Sequence, residues 1–214
     1  LERLPHSPAR YTLGVVGLAG LYYAGAKLGY LLEFSGPVAA IVWLPVGFGI
    51  AFLYLGGVAY WPGVVIGDLL ANDYTLLPLG SALGQTCGNV LEVVLATLLL
   101  RRLVRYDSPL VSVRGVGMLA ASVAAGAAAS ATVGATSLLA GGVVHLEEVP
   151  KVWRTWWLGD ASGSLLVVPF ALAWYAPLPR DWTRARWFEA LALLLGVVAL
   201  ADFATRSTTP IAYL

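Results

Sequence analysis

The sequence is short of charge. Asp, Glu, Lys and Arg make up 12% of its 214 residues, against about 25% in soluble domains. With 59% of the chain hydrophobic, too few polar side chains remain to clothe a water-facing surface, and a soluble fold is excluded. The net charge is only +1, so there is no basic field for nucleic acid. The single cysteine, Cys87, lies in an apolar stretch. It has no partner for an internal disulfide and says nothing about redox compartment. The only histidines are His6 and His145, both near membrane edges, which argues against a metal or haem site built on paired histidines. There is no HExxH, no glycine-rich phosphate loop and no CxxC. Ser162-Gly163-Ser164 has no histidine base nearby in the chain. Gly67-Asp68 and Gly159-Asp160 lack the flanking motifs of intramembrane aspartyl proteases. The reading is not that of an enzyme, and no cofactor is indicated.

What is present is hydrocarbon. Mean hydropathy is +0.79, and eight Trp and ten Tyr suit the aromatic belts at headgroup level. Leu1 to Arg10 mimics the start of a signal peptide. The apolar segment after it is too long for one, so it reads as a first span. Counting segments of about 20 apolar residues predicts an all-α membrane protein, a bundle of about seven transmembrane helices. They run from Tyr11 to Leu32, Pro37 to Gly57, Tyr60 to Ala71, Leu77 to Leu100, Val113 to Val144, Val152 to Trp174 and Trp187 to Thr205. The third is short and opens on Trp61-Pro62-Gly63. The fifth is overlong, so it must tilt, kink near Gly126 or Gly134, or split. Thr209 to Leu214 resembles the start of an eighth span that the sequence does not complete.

Arginines set the orientation, since short cytoplasmic loops carry the excess of Lys and Arg. Arg3 and Arg10, then Arg101, Arg102, Arg105 and Arg114, then Arg180, Arg184 and Arg186 all fall on one side. Glu33, Asp68, Asp73, Glu147 and Glu148 fall on the other, with Lys151 and Arg154 partly offsetting the last pair. The N-terminus is therefore expected to be cytoplasmic. The turn from Gly56 to Trp61 belongs to the same side but carries no charge.

Two spans read as central packing helices. Gly80, Gly84 and Gly88 recur every four residues, the small-xxx-small pattern of close helix approach, and Ala120 to Thr136 is dominated by small residues. Charge within a span costs about 2.5–3.5 kcal/mol on insertion scales, so each instance asks for a reason. Lys27 reads as snorkelling to the outer interface, and Asp68, with Asn72 and Asp73, as marking the outer surface. Glu92 lies deep in the fourth span with Gln85 and Asn89 on the same face. That polar stripe is either a ligand or proton site or a structural clamp. Trp153, Trp156, Trp157 and Asp160 share a face of the sixth span, either as an interfacial tryptophan cluster with a solvated carboxylate or as the floor of a pocket. Trp43-Leu44-Pro45-Val46-Gly47 places a proline in the second span, where a bend lines a cavity or simply packs.

Taken in order, these segments resemble the MASE1 family of membrane-associated sensor domains of bacterial signalling proteins. The resemblance rests on Trp43-Leu44-Pro45-Val46-Gly47; on Trp61-Pro62-Gly63 through Gly67 with Leu69-Leu70-Ala71; on Gly88-Asn89-Val90-Leu91-Glu92 followed by Leu98 to Leu103; and on Trp157-Leu158-Gly159-Asp160 with Gly163, Leu165-Leu166 and Pro169. It implies a multi-pass input module of about eight spans in the bacterial inner membrane, joined to a histidine kinase, diguanylate cyclase or related output domain. It names no ligand and leaves a homodimer open. Candidate ligand-binding residues are Glu92, Asn89, Gln85, Asp160, Trp157 and Trp43. An accessory subunit of a larger membrane complex and a small-solute transporter are the competing readings.

Overall fold

The computed structural model describes residues 7–31, 42–72, 78–104 and 109–175, and beyond these 183, 185–189, 191, 192 and 195. Leu1–Tyr175 forms one compact unit and Ala176–Leu214 a second. Among the described residues the regular structure is helical: α1 (Pro8–Leu31), α2 (Leu44–Gly56), α3 (Pro62–Ala71), α4 (Leu79–Leu103), α5 (Val113–Ala140) and α6 (Val149–Tyr175). Short 3-10 turns, Val58–Tyr60 and Leu146–Glu148, precede α3 and α6. The expected seventh span, Trp187 to Thr205, lies largely outside the described residues, although 187–189, 191, 192 and 195 are helical. Thr209 to Leu214, and Pro37 at the start of the expected second span, lie outside them too.

Proline and glycine punctuate the unit. Pro45 and Pro62 sit in the first turns of α2 and α3, where a missing N–H breaks no helical bond. The expected bend at Pro45 is thus a helix start, with Trp43 extended just before it. Gly57, at φ 123°, turns the chain between α2 and the following 3-10 turn with a backbone angle that side chains oppose. Ser112 caps α5 by accepting the Gly115 N–H at 3.0 Å. No break interrupts α5 over its 28 residues, so the overlong fifth segment is one helix, about 42 Å long. It ends at Ala140, short of the expected Val144.

Three segments, Leu79–Leu103, Val113–Ala140 and Leu146–Tyr175, are long and apolar enough to cross a membrane. The helices α2 and α3, with 13 and 10 residues, reach about 20 and 15 Å, less than the ~30 Å hydrocarbon core.

Side-chain ties show which ends meet. Tyr11 Oη donates to Ala59 O at 3.0 Å, and Arg101 donates to Leu53 O and Tyr54 O at 3.0 and 2.8 Å. The start of α1, the end of α2, the start of α3 and the end of α4 therefore share one end of the unit. At the opposite end Tyr30 Oη donates to Ala71 O and Ser81 Oγ to Ser137 O. Successive helices alternate in direction, which puts Arg10, Arg101, Arg102 and Arg114 at one end and Glu147 and Glu148 at the other. Lys27 is exposed, late in α1, its Nζ 5.2 and 5.8 Å from the Tyr23 and Tyr30 ring centres.

The packing is close where side chains vanish. Gly84 of α4 lies against Ser137 of α5, and Gly88 against Ser130. Gly80 of the same glycine row faces open space, so the row contributes two contacts rather than three. Trp156 of α6 fills the space over Gly134, and Gly47 of α2 abuts Val167. Around this core, Leu13, Val16, Leu70, Leu158, Leu166 and Phe170 are exposed, an apolar exterior suited to lipid.

Candidate buried polar site

Five helices bring polar side chains together inside this apolar unit. At one side stands Asp68, near the end of α3 and only 3% exposed. Its Oδ1 accepts from Tyr22 Oη of α1 at 3.1 Å and from Asn89 Nδ2 of α4 at 2.7 Å. Its Oδ2 accepts from Thr86 Oγ1 at 2.5 Å and from Asn72 Nδ2 at 3.3 Å. Asp68 therefore does not mark the outer surface: it is the hub of a saturated network. Four donors offset the desolvation that an isolated buried carboxylate would suffer. The network reaches α5 through Ser130 Oγ, which donates to Asn89 Oδ1 at 3.0 Å. Asn89 thus joins α3 to α5 through one amide.

One helical turn further along α4 the pattern inverts. Glu92 is fully buried, yet neither of its oxygens has a hydrogen-bond partner. Asp160 of α6, 2% exposed, leaves Oδ2 unpartnered as well. Glu92 and Asp160 lie within mutual electrostatic reach, with Ser130 beside both and Trp156 beside Asp160. No lysine, arginine or histidine is buried among the described residues. Between α4 and α6, three carboxyl oxygens are thus left without a donor, whereas Asp68 is surrounded by donors.

The polar face of α4 lies inward along its length, since Gln85, Asn89 and Glu92 are all buried. Gln85 Nε2 also lacks a partner. Asp160 is buried rather than solvated, despite its place after three tryptophans. The other two candidates make contacts between helices. Trp157 donates its indole N–H to Ala124 O at 3.0 Å and stacks on Trp153 with ring centres 6.1 Å apart. Trp43 donates its backbone N–H to Gly159 O at 2.9 Å and sets its ring edge-on to Tyr30. Sequence reasoning missed Tyr22, Thr86 and Ser130 and misplaced Asp68. The one available signal was the spacing of Thr86, Asn89 and Glu92 on the same helix. Among the described residues no three His, Cys, Asp or Glu side chains cluster closely enough to hold a metal.

No curated protein and no solved structure matches the chain. A family model does, over residues 15–213, a stretch that takes in every residue of the polar site. With nearly its whole length matched and its polar side chains gathered in the interior of an apolar helical unit, the chain belongs to MASE1, a family of membrane-associated sensory input domains.

Proposed function

We propose that residues 1–214 act as a single membrane-embedded input module of about seven spans in a bacterial inner membrane, its N-terminus in the cytoplasm. The module regulates a cytoplasmic output domain of histidine kinase or diguanylate cyclase type. The observation that carries this reading is Glu92, a carboxyl group wholly buried where α4 meets α5 and α6, with no hydrogen bond to either oxygen. An unsatisfied buried acceptor costs free energy and is relieved by whatever supplies a donor or a positive charge. A ligand engaging Glu92, Asp160, Asn89 or Gln85 shifts the packing of α5 against α4 and α6 by its differential affinity for the two arrangements. The collection of Arg10, Arg101, Arg102 and Arg114 at one end supports a cytoplasmic N-terminus by the positive-inside rule.

The experiment is the intact mass of the protein purified from its native membrane. A mass well above the 22.6 kDa of this chain, with an output domain in its peptide map, is the expected result. A mass near 22.6 kDa with co-purifying membrane subunits would replace the sensor by an accessory subunit.

A further inference from the structure

We propose that Glu92 and Asp160 form a proton-binding site in which one shared hydrogen ties α4 to α6. The chemistry needs only hydrogen-bond accounting. A carboxylate accepts and does not donate, and here two of them are neighbours. Both Glu92 oxygens and Asp160 Oδ2 are left without donors. The charged and titratable groups that face them from the helices packed around are Asp68 of α3 and Tyr22 of α1. Both already belong to the Asp68 network, where Tyr22 gives its only hydrogen to Asp68. From α5 the facing polar group is Ser130, whose hydroxyl is donated to Asn89, and on α6 itself Trp156 stands beside Asp160, yet the three oxygens remain unpartnered. No cation is on hand among the described residues. One proton on either carboxyl supplies the missing donor and turns two mutually repelling acceptors into an O–H···O pair of the strong, charge-assisted kind.

Packing favours a proton over a metal ion. A Cβ placed on Gly126 would meet Glu92 O at 3.0 Å and Glu92 Cγ at 3.3 Å, so α5 closes directly on this side chain. An alkali ion needs a shell of several oxygens and room to hold them, whereas a shared hydrogen needs neither. Loss of the proton leaves two negative charges in a low-dielectric interior, which α4 and α6 relieve by separating or by admitting water. For its consequence in signalling the proposal rests on the sensory reading; its chemistry does not.

The test is infrared spectroscopy of the full chain in lipid vesicles, titrated with pH in H2O and in D2O. The expected result is a protonated-carboxyl C=O band that moves on deuteration and disappears as pH rises. The band should be lost in Glu92→Gln and in Asp160→Asn, whose amides supply the donor permanently, and the thermal midpoint of either variant should lose its pH dependence. A wild-type spectrum with no such titrating band, or a band unchanged in both variants, overturns the proposal. So does a band abolished by sodium at constant pH, since an ion would then occupy the site. The wild-type titration reads the site even if one variant fails to fold. Output activity is measured separately on the natural full-length protein: a titrating pair with an output indifferent to pH upholds the proton site and removes the sensory reading.

Discussion

Gly163 of α6 lies directly against the backbone carbonyl of Trp43 at the start of α2. Four residues earlier on α6, Gly159 O accepts the Trp43 N–H at 2.9 Å. The tryptophan-proline-glycine element and the Gly159-Asp160 element are therefore two sides of one contact. Gly163→Ala puts a methyl group on a backbone that cannot rotate away. We expect a loss of about 1–3 kcal/mol, read as a lowered thermal midpoint in mild detergent. Gly20→Ala, where nothing lies within 4 Å, should melt with the parent, and equal behaviour of the two variants would refute so close an approach.

Asp68 and Glu92 are both buried carboxyl groups but predict opposite sensitivities. Asp68→Asn replaces an oxygen that accepts two hydrogen bonds by a nitrogen that accepts none, so donors face donors. The expected loss is about 1–3 kcal/mol. Glu92→Gln removes no hydrogen bond and offers a donor toward Asp160, so its thermal midpoint should stay near the parent or rise. A reversed ranking in side-by-side melts at neutral pH would mean that Glu92, not Asp68, is the structural clamp.

Where α4 crosses α5, Gly84 and Ser137 occupy the same narrow space. Gly84→Ala should destabilise by about 1–3 kcal/mol, and adding Ser137→Gly should recover most of it. A double-mutant cycle measures that coupling. Additive effects would show that the two positions do not touch.

The orientation is open to labelling from outside the cell. In a Cys87→Ser background, a cysteine at Glu147 should react with a membrane-impermeant maleimide on intact cells. One at Arg102 should react only after the membrane is opened. The reverse pattern would invert the bundle.

The face of α4 that carries Gln85, Asn89 and Glu92 was legible in advance, because residues three and four apart on one helix share a side. Asp160 was legible as a carboxylate inside an apolar segment. The partners were not. Spacing reports the faces of a single helix and is silent about which face of another helix it meets. Tyr22 belongs to a chain rich in tyrosine, where each reads first as part of an interfacial belt. Asp68 lies three residues before the end of α3 and so reads as a surface residue. It is buried because α1 and α4 close over the end of that short helix and supply its donors. Pro45 misled for a related reason: a proline within an apolar run looks the same whether it bends a helix or begins one. The division of α5 was undecidable from composition, since small residues permit both a continuous helix and a break.

Ser130 has a single hydroxyl hydrogen, and two groups have a claim on it. It is given to Asn89 Oδ1, although Glu92 and Asp160 are neighbours of the same oxygen. One hydrogen cannot serve both masters. If the hydroxyl turns toward the carboxyl pair, Asn89 forfeits its tether to α5 and keeps only its grip on Asp68. The allegiance of this one serine thus sets whether the Asp68 network runs on from α3 through α4 to α5 or stops at α4.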